Sequence, residues 1–246
     1  MVDGRRLDPS LFDPHLISTI CHRRLGVGAD GLIILGHSGK ADFRMRYFNA
    51  DGMEGTMCGN GGRCITLFAA HLGLIGRETT FEGIDGLHRA TILQNQNISL
   101  ELKDVNGVRS LEEGYLLDTG SPHFVTFVPD LDVIDVDQQG REIRNQSRFG
   151  SEGVNVNFVS PERGGDQIWV RTYERGVEAE TLSCGTGVTA AAIAAAVHRQ
   201  SDNFSYQVNT RGGILMVSFR RKAHDEFTDV TLTGPAVQVF EGSLQL

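Results

Sequence analysis

Cys58-Gly59-Asn60-Gly61 and Cys184-Gly185-Thr186-Gly187 are two versions of one phrase. They stand about half the chain length apart, and what precedes them is alike. Phe43-Arg44-Met45-Arg46-Tyr47-Phe48-Asn49 and Ile168-Trp169-Val170-Arg171-Thr172-Tyr173-Glu174 are both strand-like runs ending in a polar residue. A glycine follows each (Gly52, Gly176), then a short loop carrying an acid (Glu54; Glu178 and Glu180), then the Cys-Gly pair and an apolar helical stretch. A repeat of this length predicts two like halves, each offering one cysteine at the start of a helix.

A cysteine at that position has chemical consequences. The first N–H groups of a helix have no intrahelical partner, and the helix dipole is positive there. Both effects favour thiolate over thiol. The glycines allow a ligand close to the backbone. The N–H groups of Gly59, Asn60, Gly185 and Thr186 suit an anion such as a carboxylate. Two such helix starts serving one carbon would supply what a racemase without a cofactor needs: one group removes a proton from one face while the other delivers a proton to the opposite face.

Composition narrows the classes. Net charge is −8 and the apolar share is 40%. No basic stripe suggests nucleic acid, and no apolar run approaches a membrane span. The opening residues lack the apolar core of a signal peptide. Four cysteines in 246 residues are too few for a secreted disulfide scaffold, so a reducing, cytoplasmic setting is expected. Cys58, Cys64 and His71 lack a zinc spacing, and no metal site is expected. Cys21 and Cys64 lie at no repeated position and are read as structural thiols. Gly26-Val27-Gly28-Ala29-Asp30-Gly31 is read as a structural turn and not a phosphate loop, because a strand follows the glycines and no Gly-Lys-Ser/Thr is present.

Periodicity predicts a helix over 9–24, a central helix over 61–72 apolar on most sides, and a second over 187–198. Short strands fill the rest, including a last one at Val237 to Phe240. The expected fold class is α+β: two pseudo-symmetric domains, each a strand barrel or curled sheet around a central apolar helix. The expected domains are 1–112 with 236–246, and 113–235. His123, in the turn Thr119-Gly120-Ser121-Pro122-His123, is a candidate functional residue.

The two cysteine units resemble diaminopimelate epimerase. The matching residues are Phe48-Asn49-Ala50-Asp51-Gly52, Cys58-Gly59-Asn60-Gly61-Gly62-Arg63-Cys64, Tyr173-Glu174-Arg175-Gly176 with Glu180-Thr181, and Cys184-Gly185-Thr186-Gly187; Gly28-Ala29-Asp30, Ser121-Pro122-His123 and Thr233-Gly234-Pro235-Ala236 also fit. Proline racemases share the fold and both cysteines but carry His where this chain has Asn60.

The resemblance implies pyridoxal-independent interconversion of LL- and meso-diaminopimelate, in lysine and peptidoglycan precursor synthesis, with no cofactor. It implies Cys58 and Cys184 as the acid/base pair, supported by His123 and Glu174. The backbones of Gly59, Asn60, Gly185 and Thr186 would hold the reacting carboxylate. Asn49, Asn155 and Arg175 would read the distal end. The partner expected is a small-molecule amino acid, with no nucleic acid and no membrane; a homodimer is the assembly considered.

Two departures stand out. Ser121 replaces the family's usual Asn, and the family's opening strand with its Gly-x-Gly-Asn-Asp-Phe turn is expected to be missing ahead of Val2-Asp3-Gly4. The alternatives are an inactive or ligand-binding relative, or a racemase of another amino acid on the same fold.

Overall fold

A computed structural model describes residues 1–161, 165–201 and 204–244. Two compact units form: Met1–Leu100 with Pro235–Leu246, and Glu101–Gly234.

The first unit contains β1 (Val2–Asp3), α1 (Pro14–Cys21), β2 (Gly31–Gly36), β3 (Phe43–Asn49), α2 (Gly59–His71), β4 (Glu78–Gly83), β5 (Gly86–Ile92) and β6 (Ile98–Glu101). The strands are ordered as they occur in the chain. β1 runs parallel to β2, with Val2 opposite Ile34, so residues expected to follow an opening strand are themselves a short strand. Asp13 caps α1 by accepting the N–H of Leu16, and Pro14 opens the helix where its missing N–H costs nothing. Ile17 and Cys21 of α1 pack on Leu32, Ile34 and Phe48.

The second unit contains β7 (Val105–Asn106), β8 (Arg109–Leu111), β9 (Gly114–Asp118), β10 (Pro122–Phe127), α3 (Val136–Arg144), β11 (Asn155–Pro161), β12 (Gln167–Glu174), β13 (Ala179–Thr181), α4 (Gly185–His198), β14 (Ser205–Thr210), β15 (Gly213–Arg221) and β16 (Glu226–Gly234). Its sheet runs β16-β15-β14-β12-β11-β10-β9-β8, with β13 on β12 and β7 on β16. β7 also lies beside β9, so the two ends of this path come together. The sheet curls around α4, whose residues 187–197 are all buried. Val125, Val159, Val170, Val208, Val217 and Leu232 converge on it from six strands. The alanines of α4 let the strands close in, and a helix with no polar face is stable only in such a sheath.

The repeated phrase corresponds to a repeated topology. β1-α1-β2-β3-α2-β4-β5-β6 and β10-α3-β11-β12-α4-β14-β15-β16 have the same pairings. The first two strands are parallel, the second and third antiparallel, and the third and fourth parallel across the cysteine-bearing helix. The bridge Phe48–Glu54 is the counterpart of β13 on β12.

Four details differ from expectation. The stretch 9–24 breaks into a 3-10 turn, Pro9–Leu11, and α1, because proline fits only the first turn of a helix. α2 and α4 begin at Gly59 and Gly185, two residues earlier than predicted, because each cysteine is itself the N-cap. α2 is buried along one side through Ile65, Thr66 and Ala69, whereas Leu67, Phe68 and Ala70 are partly exposed. Finally, Val237 to Phe240 is not a strand; β16 ends at Gly234, and beyond it Val237 and Phe240 are 73% and 71% exposed.

Candidate active site

Cys58 caps α2 in extended conformation, at φ −109° and ψ 113°, and the N–H of Gly61 donates to its Sγ at 3.3 Å. The loop before it is held by Glu54, which takes both ends of the Arg46 guanidinium at 2.9 and 3.0 Å. One turn into the helix, Arg63 is only 5% exposed. Its guanidinium donates to Asn60 Oδ1 at 2.8 Å and to the Gly59 carbonyl at 3.3 Å. Burial pulls the pKa of this guanidinium below its usual value, against the attraction of the Cys64 and Cys58 sulfurs. The first unit thus sets a buried cation on the turn that carries its cysteine. Asn49, at the end of β3, is exposed.

Cys184 caps α4 with nearly the same backbone, φ −111° and ψ 114°, but its neighbours are neutral hydrogen-bonding groups. Thr186 Oγ1 lies 3.4 Å from Cys184 Sγ and 3.4 Å from Ser121 Oγ. Ser121 Oγ is 3.0 Å from His123 Nε2 and accepts from Asn155 Nδ2 at 3.2 Å. His123 Nδ1 is 3.1 Å from Asn157 Nδ2, and Asn157 Oδ1 accepts from Thr172 Oγ1 at 2.9 Å. Strand register assembles the cluster: His123 lies opposite Asn155, Val125 opposite Asn157, and Asn157 opposite Thr172. At Gly187 a side chain could not fit, because a Cβ would sit 2.4 Å from Asn157 Oδ1.

His123 is fully buried. Burial, then the charge of Arg175, pulls its pKa down to about 3, so the imidazole is neutral at physiological pH. An unfolded histidine takes a proton near pH 6.5, and the folded one does not until about 3. The unfolded state therefore gains protons first as pH falls, and stability declines from about pH 6.5 downward. Between neutrality and pH 5, we expect this group to cost about 2 kcal/mol. Denaturant unfolding across that range should show the loss in the native chain and a shallower slope in His123→Gln.

The structure brings His123, Asn155, Cys184 and Thr186 into one hydrogen-bonded cluster. Arg175 joins through its backbone N–H, which donates to Asn155 Oδ1 at 2.9 Å. Glu174 ends β12 and is half-buried beside it. In the first unit, Cys58, Gly59 and Asn60 share one helix turn. The Asn155 amide, expected to read the substrate's distal end, bonds Ser121, Pro122 and Arg175. Residue order does not single out Asn157, Thr172 or the structural role of Arg63. The signal for Asn157 was present: it shares a strand face with Asn155, and polar residues between buried valines and phenylalanine need partners. Burial pushes the Cys21 and Cys64 thiols up in pKa, in line with structural thiols.

Solved structures give the class of fold. A PhzF-family phenazine biosynthesis protein from Bacillus anthracis superposes with a TM-score of 0.78 at 15% identity, covering 99% of this chain and 91% of that chain. A hydroxyproline epimerase from Agrobacterium vitis superposes at 0.64 with 16% identity, covering 89% and 76%. The two repeated units share this fold, and the chain is an isomerase of the epimerase type. It belongs to the diaminopimelate epimerase family, whose model matches residues 1–105 and 115–239. The diaminopimelate epimerase of Flavobacterium psychrophilum is 48% identical over 244 residues, 99% of this chain and 94% of that protein.

Proposed function

We propose that the chain interconverts LL- and meso-diaminopimelate with Cys58 and Cys184 as its two acid/base groups and no cofactor. The observation that carries this reading is the matched pair of N-caps: two thiols, one per unit, in nearly identical backbone conformations at the starts of corresponding helices. In each direction one sulfur, as thiolate, takes the α-proton while the other, as thiol, returns a proton to the opposite face. The N–H groups of Gly59, Asn60, Gly185 and Thr186 would hold the reacting carboxylate, whose charge suits a helix start. Neutral His123 and Glu174 would support the substrate's amino group and the reaction centre. Asn49, Asn155 and Arg175 would read the distal end, where a guanidinium fork fits a carboxylate. A cytoplasmic location and a homodimer complete the reading.

The test is a direct assay of LL-diaminopimelate epimerisation on protein dialysed against a chelator, with a carbonyl reagent added to trap pyridoxal. Full activity under both treatments is expected. Loss of activity on either treatment would overturn the cofactor-free mechanism. Turnover of another amino acid in place of diaminopimelate would overturn the substrate.

A further inference from the structure

The hydrogen bonds behind Cys184 run in one direction. Thr172 Oγ1 donates to Asn157 Oδ1, which orients the Asn157 amide so that its NH2 group faces His123 Nδ1 and the Phe124 carbonyl. Nδ1 is then the acceptor, and a neutral imidazole carries its proton on Nε2. That N–H points at Ser121 Oγ. Asn155 is oriented in the same way: its Oδ1 accepts from the Arg175 N–H, and its Nδ2 donates to Ser121 Oγ.

Ser121 Oγ thus receives two donors, which fill its two acceptor positions. Its own proton is left for Thr186 Oγ1 at 3.4 Å, and Thr186 passes its proton toward Cys184 Sγ at 3.4 Å. The Thr186 backbone is fixed as well, because Thr119 Oγ1 donates to its carbonyl at 2.9 Å.

We infer that Ser121 and Thr186 are positioning residues for Cys184: a one-way chain from Thr172 through Asn157, His123 and Ser121 commits the Thr186 hydroxyl as a donor to the cysteine sulfur. A donor aimed at sulfur favours the thiolate, and members of a hydrogen-bond chain polarise one another. In the first unit Asn60, the counterpart of Thr186, accepts from Arg63, and the Gly61 backbone N–H donates to Cys58 Sγ. This inference rests on the two-cysteine reading for its relevance to catalysis, but its test does not need turnover.

The experiment is alkylation of the native protein by iodoacetamide at one fixed pH, with modification of Cys184 and Cys58 followed separately by mass spectrometry. Thr186→Val keeps the shape and removes the donor. It should slow alkylation of Cys184 roughly tenfold, the effect of one hydrogen bond to a charged acceptor, while Cys58 keeps its rate. Thr186→Ser should restore the rate. Ser121→Ala should slow Cys184 about threefold, with Ser121→Thr restoring it. The inference is overturned if Cys184 in Thr186→Val reacts at the native rate, if Thr186→Ser is as slow as Thr186→Val, or if native Cys184 resists the reagent. Failure of the epimerase assay with this alkylation pattern intact would instead count against the proposed function.

Discussion

Cys58→Ala and Cys184→Ala should each lose epimerase activity by roughly a thousandfold or more, the scale at which a positioned acid or base acts. Neither loss should come from unfolding. Cys58 and Cys184 both stand at helix starts, where alanine is a poorer cap but fits the extended backbone. Circular dichroism of both variants should match the native chain. The effects should not add: with two groups acting in one proton relay, removing either breaks it, so the double variant should be about as slow as either single one. Cys21→Ala is the control. Cys21 is buried among Ile17, Leu32 and Phe48, and its loss should cost stability without changing the rate of the folded protein.

The second large effect concerns a residue that touches no expected substrate. Asn157→Leu should destabilise the protein by about 3 kcal/mol. Leucine keeps the branched outline with two larger methyl groups, and the change strips hydrogen bonds from three partners at once. Thr172 Oγ1 loses its acceptor, and His123 Nδ1 and the Phe124 carbonyl lose a donor. All of these atoms lie in a buried cluster, where an unmatched polar group costs about 1–3 kcal/mol. The imidazole would also lose the contact that fixes its tautomer, so activity per folded molecule should fall as well. Chemical denaturation and rate measurements on Asn157→Leu separate the two effects. A variant as stable as the native chain would mean that the cluster is not held as described.

Much of this was readable from residue order. The two Cys-Gly phrases with their preceding runs announced a repeated topology, and strand–helix–strand units with matching pairings are found in both units. The buried α4 was visible in its run of alanines. What sequence could not give was mostly set by packing between distant residues. Partial exposure of one side of α2 depends on which strands cover it, although its composition resembles that of a buried helix. Val237 to Phe240 alternates like a strand, but a strand also needs an edge to pair with, and periodicity does not report one. The 9–24 stretch departs from one helix for a local reason: its two prolines allow a 3-10 turn and a separate short helix and forbid one long one.

Within the site, the cysteines were legible because their context recurs, and His123 because its turn is distinctive. Asn157 and Thr172 were not, because their roles come from the register of β10, β11 and β12, which brings the three side chains together from separate segments. In the sequence Ser121 stands out only as a departure from a family pattern. Its place between His123 and Thr186 emerges from hydrogen-bond geometry. Arg63 lies within a recognisable motif, yet its burial on the turn after Cys58 is a tertiary fact.

The most direct test of the two-thiol account is α-hydrogen exchange in deuterated water, followed by NMR, for Cys58→Ala and Cys184→Ala with each stereoisomer of diaminopimelate. If the cysteines serve opposite faces of one carbon, each single variant keeps one working base. One variant should then exchange the α-hydrogen of the LL isomer and the other that of the meso isomer, with neither converting one isomer into the other. Near-normal epimerisation by either variant, or exchange of the same isomer by both, would contradict the account.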